Sequence, residues 1–114
     1  VILIVLLIAG RGQKKWTVYV GLNDKDAGTA LVSRDEAKAR LNAVAAKYAE
    51  GFTVHEAEGF WVSGTGEQFS EETLIYDVLG ATEQQLTSII SEMKNALNQE
   101  SVLVECNETR SALY

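Results

Sequence analysis

Two aromatic residues and two carboxylates stand at neighbouring ends of two predicted strands. Phe60 and Trp61 close the second predicted strand, and Glu71 and Glu72 open the third. Because a hairpin brings these ends together, aromatic faces and a carboxylate are expected to line one pocket. Aromatic faces attract cations, including sulfonium groups, by roughly 0.5–2 kcal/mol, and a carboxylate adds charge complementarity or acts as a base. The alternative is an exposed glutamate pair beside core aromatics.

The elements that must position these residues follow the order β-α-β-β-α-β. Alternating or continuous apolar runs predict strands at residues 16–22, 52–62, 72–79 and 102–106. Gly59, inside the second strand, marks either a bulge or a close backbone approach. This order predicts an α+β, ferredoxin-like fold, with a four-stranded antiparallel sheet and two helices on one face.

Two capping boxes predict where the helices begin. Ser33 with Glu36, and Thr82 with Gln85, have the spacing of an N-cap hydroxyl and its reciprocal partner. Gly51 is expected to cap the end of the first helix. Apolar stripes at helical spacing follow both boxes: Ala37, Leu41, Val44, Ala45 and Tyr48, then Leu86, Ile89, Ile90, Met93 and Leu97.

The third predicted strand is apolar on both faces. Leu74, Tyr76 and Val78 lie on one face, whereas Ile75 and Leu79 lie on the other. Two helices cover only one face of a four-stranded sheet, and a strand that is apolar on both faces needs cover on both. The pattern predicts a closed homo-oligomer, dimeric or trimeric, with Tyr76 as a central interface position and a site between subunits.

Composition narrows the function. The 114 residues predict one domain, and a net charge of -6 without a basic stripe argues against nucleic-acid binding. Cys106 is the only cysteine, which excludes an intrachain disulfide. His55 is the only histidine and has no evident nucleophile. Asp24 and Asp26 are spaced like the start of a calcium loop, but the glycine and closing glutamate are misplaced. Neither a metal nor a cofactor is predicted.

The N-terminal segment, residues 1–14, combines an apolar run with a polar linker, before a domain at residues 15–114. The run Val1–Ala9 is too short to span a bilayer, which takes roughly 20 residues, so no stable membrane span is predicted. Two interpretations stay open: the remnant of a signal peptide, or a strand that pairs with a sheet edge.

Three short motifs lie between Trp16 and Cys106. They are VGLND at residues 20–24, ETL at residues 72–74 and NQESVLV at residues 98–104. With these motifs the chain resembles a widespread family of small bacterial proteins of unknown function. That resemblance implies the ferredoxin-like fold and little about activity.

The order of elements is also similar to that of the phage enzymes that degrade S-adenosylmethionine. Those enzymes are trimers related in fold to the PII signalling proteins, with active sites between subunits. The resemblance implies Glu72 as the catalytic residue, with Glu71 beside it and Phe60 and Trp61 against the substrate. Trp61 stands where those enzymes have a tyrosine, so it offers a stacking surface but no phenolic hydroxyl.

Two functions therefore stay open for a homo-oligomer that binds a small molecule. The first is a lyase, in which the carboxylate of S-adenosylmethionine attacks its own γ-carbon and expels methylthioadenosine, leaving homoserine lactone. The second is a non-catalytic, PII-like ligand-binding or interaction protein. A lyase implies a cytoplasmic protein, whereas a signal remnant at residues 1–10 implies export.

Overall fold

Four strands and two helices follow the predicted order in a computed structural model, which describes residues 12–113. Their bounds are β1 Gly12–Gly21, α1 Arg34–Tyr48, β2 Thr53–Val62, β3 Gln68–Leu79, α2 Glu83–Ala96 and β4 Leu103–Arg110. All neighbouring strands are antiparallel, in the order β2-β3-β1-β4. The predicted ferredoxin-like fold is confirmed.

The core lies between one face of the sheet and both helices. It takes alternate residues from the two central strands and the predicted stripe from each helix, because side chains alternate between the faces of a strand. Its members are Val18, Val20, Leu22, Ala37, Leu41, Ala45, Leu74, Tyr76, Leu86, Ile89, Met93 and Leu97. We call the opposite side of the sheet the open face.

The helices begin where their hydroxyl caps predict. Thr82 forms the full capping box: its Oγ1 accepts from the Gln85 N–H at 3.1 Å, and its N–H donates to Gln85 Oε1 at 2.9 Å. Ser33 makes only the first of these bonds, to the Glu36 N–H at 3.1 Å. The Glu36 carboxylate instead pairs with Arg40 at 3.0 Å. The second capping box is confirmed, and the first is half formed.

Removing the Thr82 cap is expected to destabilise the domain more than removing the Ser33 cap. Thr82→Ala and Ser33→Ala should each lower the free energy of unfolding by about 1 kcal/mol. The loss should be larger for Thr82→Ala, because the reciprocal capping box with Gln85 is disrupted as well. Urea unfolding measures both, with the exposed Gln84→Ala as control. Equal losses of unfolding free energy in Gln84→Ala and Thr82→Ala would contradict the assignment of Thr82 as the N-cap of α2.

Four predicted boundaries are wrong. Residues 12–14, predicted as linker, belong to β1, and β4 continues to Arg110 rather than ending at Cys106, because the two segments pair with each other. Gly51 does not cap α1, which ends at Tyr48 with Ala49 in an extended conformation (φ −107°, ψ 141°). β3 starts four residues before its predicted start, because β2 pairs with it continuously from Val62 opposite Gln68. Pairing with another strand overrode local composition in every case except the end of α1.

The early start of β3 produces a hairpin arm, residues 59–71, that extends beyond the rest of the sheet. β1 pairs with β3 only from Thr73 onward. Gly59 stands opposite Glu71 without a bulge, and a Cβ on Gly59 would lie 2.8 Å from Thr73 Oγ1. Of the two interpretations of Gly59, the close approach is confirmed.

Tyr76 lies on the helix-covered face and is fully buried, so its prediction as an interface position is wrong. Its hydroxyl donates to Asn42 Oδ1 at 2.6 Å, and burial raises its pKa. It shares this face with Val18 of β1 and Leu74, which the helices cover. Ile75 and Leu79 lie on the open face, as predicted.

Asp77 forms the centre of a polar cluster on the open face. Its carboxylate accepts from Thr17 Oγ1 at 2.8 Å, lies 2.8 Å from His55 Nε2 and 3.9 Å from Lys15 Nζ. Burial alone would raise the pKa of Asp77, but these hydrogen bonds and the charges of Lys15 and His55 hold it below its usual value.

A lowered pKa makes Asp77 a source of acid sensitivity. The ionised form stabilises the fold above the unfolded-state pKa near 4, and that contribution is lost as pH falls through the folded-state pKa. Asp77→Asn should therefore narrow the difference in unfolding free energy between pH 7 and pH 2.5. Urea titrations at both pH values measure it. If Asp77→Asn and the wild type lose the same unfolding free energy between pH 7 and pH 2.5, Asp77 does not contribute to the acid sensitivity.

No helix within residues 12–113 is long and apolar enough to cross a bilayer. The predicted signal remnant or extra strand at residues 1–10 lies outside the described residues.

Candidate functional site

A cleft of about 590 Å³ opens between the hairpin arm, the loop after β1 and the turn before β4. Three otherwise separate segments meet here because antiparallel pairing places the end of β1 beside the start of the arm. The lining residues are Asn23, Asp24, Lys25, Gly28, Trp61, Phe69, Glu71, Gln99, Glu100 and Ser101.

The strand alternation divides the four predicted site residues between the two faces. Trp61 and Glu71 lie on the open face and line the cleft, whereas Phe60 and Glu72 lie on the helix face. Neighbouring residues of one strand point to opposite faces, so an adjacent pair cannot line one side together. The cleft thus combines aromatic faces with a carboxylate, as expected, through Trp61 and Glu71, whereas Phe60 and Glu72 do not line it.

The aromatic wall of the cleft is a stacked pair rather than Trp61 alone. Trp61 stands opposite Phe69, with ring centroids 4.3 Å apart and planes 17° from parallel. Trp61 remains 50% exposed, so part of the pair is free to contact a ligand. Phe69 was missed because the predicted third strand began after it. The turn at Ser63, whose N–H donates to Glu67 O at 2.8 Å, fixes the register that pairs the two rings.

Glu71 lies across the end of β1 and has one anchored oxygen. Its Oε2 accepts from the backbone N–H of Asn23 at 3.0 Å. Within residues 12–113, Oε1 of Glu71 has no hydrogen-bond partner. The cleft thus holds a carboxylate that is fixed on one side and open on the other.

The loop after β1 is braced by Asp24 and Asn98. Asp24 Oδ1 accepts from the N–H groups of Asp26 and Ala27, and the Asn98 amide donates to Asp24 Oδ2 at 3.0 Å and to Asp26 Oδ2 at 2.9 Å. Hydrogen bonds from the Ala27 N–H, the Asn98 amide and the Asp26 N–H hold the pKa of Asp24 below its usual value. These aspartates therefore shape the loop. In the described chain, no three His, Cys, Asp or Glu side chains are grouped to hold a metal.

Glu72 lies in a different setting from Glu71. Its Oε1 lies 3.6 Å from Nη1 of Arg34, the first residue of α1. It lines a smaller hollow of about 320 Å³ with Glu58 and, from the strand edge, Glu71. Phe60 is 64% exposed on the same side of the arm. Glu72 is thus a surface carboxylate with a cationic partner.

The charge on the cleft walls favours a cation. Asp24, Glu71 and Glu100 supply three carboxylates, against the single ammonium of Lys25. An excess of one charge in a concave site raises the local concentration of the opposite one. Combined with the aromatic pair, this arrangement suits a ligand with a flat ring and a positive centre.

Solved structures with this fold include enzymes and ligand-binding proteins. A phage SAM lyase in complex with S-methyl-5'-thioadenosine is 20% identical, with 84% of this chain and 81% of that chain covered and a TM-score of 0.59. Periplasmic divalent cation tolerance protein CutA from Archaeoglobus fulgidus is 11% identical, with 89% and 87% covered and a TM-score of 0.59. The B. subtilis GlnK–ATP complex is 14% identical, with 85% and 81% covered and a TM-score of 0.51. At these identities the similarity establishes the fold alone.

Comparison by sequence finds one family. No curated protein matches the chain. A family model described as "Protein of unknown function" (DUF3574) matches residues 15–112, which is nearly the whole described domain. The resemblance to a family of unknown function is therefore confirmed, and the chain belongs to this family, DUF3574.

Proposed function

We propose that this protein is a homo-oligomer that binds S-adenosylmethionine in the cleft and cleaves it to methylthioadenosine and homoserine lactone. One observation carries the proposal: a stacked aromatic pair and an anchored carboxylate line the same cleft. The fold shared with a phage SAM lyase, whose complex holds S-methyl-5'-thioadenosine, supports it.

The groups on the ligand and on the cleft walls match in kind. S-adenosylmethionine has a flat adenine ring, two cationic centres and one carboxylate. Trp61 and Phe69 offer a face for the ring, Glu71 and Glu100 offer anions for the cations, and Lys25 offers an ammonium for the carboxylate. The cleft volume of about 590 Å³ lies within the usual range for small-molecule sites, roughly 300–1,000 Å³.

The proposed reaction needs no proton transfer. The substrate carboxylate forms a C–O bond to its γ-carbon, the C–S bond breaks, and its electron pair neutralises the sulfonium. Catalysis then depends on holding the carboxylate in line behind the γ-carbon, which orientation within a site achieves. Because charge is lost on both reacting groups, a pocket that excludes water favours the step.

We assign the ligand-holding carboxylate to Glu71, although the resemblance suggested Glu72. Glu71 stands in the cleft beside Trp61 and has a free oxygen, whereas Glu72 lies on the other face beside Arg34. An ammonium held by Glu71 keeps its charge through the reaction, so this contact serves to orient the substrate. The absence of a hydroxyl on Trp61 does not obstruct a step that transfers no proton.

The homo-oligomer is proposed from the open face. Leu79 and Leu103 are 45% and 61% exposed there, and Ile75 lies on the same face, between His55 of β2 and Tyr19 of β1. Further copies of the chain would cover this surface and would bring a neighbouring subunit close to the cleft. Light scattering at micromolar concentration tests it, and a monomer would contradict it.

Incubating the purified protein with S-adenosylmethionine and following methylthioadenosine and homoserine lactone by mass spectrometry tests the activity. Equal amounts of both products, above a boiled control, would support a lyase. Methylthioadenosine with homoserine in place of the lactone would indicate hydrolysis, and no product would overturn the lyase.

A non-catalytic, PII-like binding protein is the second candidate, because the fold is shared with a GlnK that binds ATP. Calorimetry with S-adenosylmethionine, methylthioadenosine and ATP separates the two. Binding of any of them without turnover would favour the second candidate. Tight binding of ATP alone would contradict the inference that the cleft favours a cationic ligand, since the cleft walls are mainly anionic.

A further inference from the structure

We propose that Gly21 and Gln99 are positioning residues that together seat the Glu71 carboxylate for ligand binding. The consequence for the ligand rests on the function proposed above. The seat itself rests on three contacts, which involve Gly21 at the end of β1, Asn23 two residues later and the turn before β4. None of the seating residues carries a charge or a nucleophile, so side-chain chemistry alone does not reveal them.

Gly21 leaves the space that the carboxylate occupies. A Cβ built on Gly21 would lie 2.4 Å from Glu71 Oε1, 2.5 Å from Cδ and 2.6 Å from Oε2. Real Cβ atoms do not approach other heavy atoms so closely. No side chain larger than a hydrogen therefore fits at Gly21 while Glu71 stays where it is. The carboxylate is the end of a flexible side chain, so a methyl group at residue 21 would move Glu71 rather than break the sheet.

The backbone of Asn23 is held on both sides of its Cα. Its N–H donates to Glu71 Oε2 at 3.0 Å, and its C=O accepts from the Gln99 amide Nε2 at 2.6 Å. Gln99 is itself fixed, since its backbone N–H donates to Lys94 O at 2.9 Å at the end of α2. Gln99 thus restrains the residue whose N–H anchors Glu71.

The seat fixes one oxygen of Glu71 and leaves the other free. A carboxylate held in this way loses less conformational freedom when a cation binds, and such preorganisation increases affinity. Gly21, which does not line the cleft, would thereby affect the ligand through Glu71, and Gln99 would act through the Asn23 backbone. The expected signature is a loss of affinity that depends on Glu71 being present.

Gly21→Ala is the main test, and Gly12→Ala is its matched control. Both glycines lie in β1, but a Cβ on Gly12 would meet nothing within 4 Å. Both substitutions change the strand propensity equally. Only Gly21→Ala is expected to displace Glu71, and Gln99→Ala should loosen the same seat from the other side.

Amide hydrogen exchange of Asn23, followed by NMR on the ligand-free protein, measures the hydrogen bond between the Asn23 N–H and Glu71 directly. Gly21→Ala and Glu71→Ala should each speed this exchange by about tenfold or more, because a hydrogen bond to a charged acceptor is lost. Gly12→Ala should leave it unchanged. An unchanged Asn23 rate in Gly21→Ala would overturn the proposal, whether or not the protein acts on S-adenosylmethionine.

A double-mutant cycle measures the effect on the ligand. Gly21→Ala should weaken S-adenosylmethionine binding at least about tenfold in the wild-type background and have no further effect in the Glu71→Ala background. An equal loss in both backgrounds would show a merely structural role for Gly21. If the wild type does not bind S-adenosylmethionine, the proposed function fails, and the exchange measurement still decides the seat.

Discussion

Glu71→Gln is expected to lower kcat/KM for S-adenosylmethionine by about 100-fold, because it removes one charge of a partly buried, hydrogen-bonded charge pair, and disrupting a buried pair costs roughly 2–5 kcal/mol. The change keeps the shape of the side chain and an oxygen that accepts from Asn23, but it removes the charge that faces the cleft. Glu72→Gln should change kcat/KM by no more than about fivefold, since an exposed ion pair contributes up to about 1 kcal/mol. Methylthioadenosine formation at a series of substrate concentrations measures both.

This pair of variants distinguishes the role that the cleft geometry assigns to Glu71 from the role that the resemblance to the phage enzymes implies for Glu72. If Glu72→Gln loses turnover and Glu71→Gln keeps it, the role suggested for Glu72 by the phage enzymes is correct and the cleft assignment fails. Both variants should keep the unfolding free energy of the wild type to within about 1 kcal/mol, the largest contribution expected of an exposed ion pair. A shifted midpoint in Glu71→Gln alone would mean that part of its loss comes from the fold.

Tyr76→Asp is expected to prevent folding, whereas Ile75→Asp is expected to dissociate the oligomer and leave the domain folded. Tyr76 is fully buried beneath the helices, and an unpaired charge there costs several kcal/mol. A domain of this size has only about 5–15 kcal/mol of stability. Ile75 lies one residue away on the open face, where a charge meets solvent once the subunits separate.

Circular dichroism and light scattering on the same samples test this expectation. Tyr76→Phe is the control for the buried position and should cost only about 1 kcal/mol, the hydrogen bond to Asn42. A folded Tyr76→Asp protein would contradict the burial of this side chain. An Ile75→Asp protein whose oligomeric mass by light scattering equals that of the wild type would contradict an interface on the open face.

Sequence patterns determined the secondary structure and most of the core because the information is local. Thr82 with Gln85 marks a helix start within four residues, and the stripe that includes Leu86 and Ile89 repeats along one helix face. The alternation of Leu74, Ile75 and Tyr76 likewise assigns each side chain to a face. The order of the elements was then enough to predict the ferredoxin-like fold.

Tertiary structure decided which residues form the site. The start of β3 depends on its pairing with β2, so Phe69 became a partner of Trp61 only through the register of that hairpin. That register also places Glu71 in the cleft and Glu72 on the other face, a choice that the adjacent pair of glutamates left open.

The seat of Glu71 is the feature that the sequence alone reveals least. It joins Gly21, Asn23 and Gln99, which lie up to 78 positions apart in the chain (99 − 21), and one of them contributes only the absence of a side chain. The order of residues is enough to place aromatic residues and carboxylates at this end of the domain. Which carboxylate is held beside the aromatic pair follows from the fold, because it depends on contacts between segments distant in sequence.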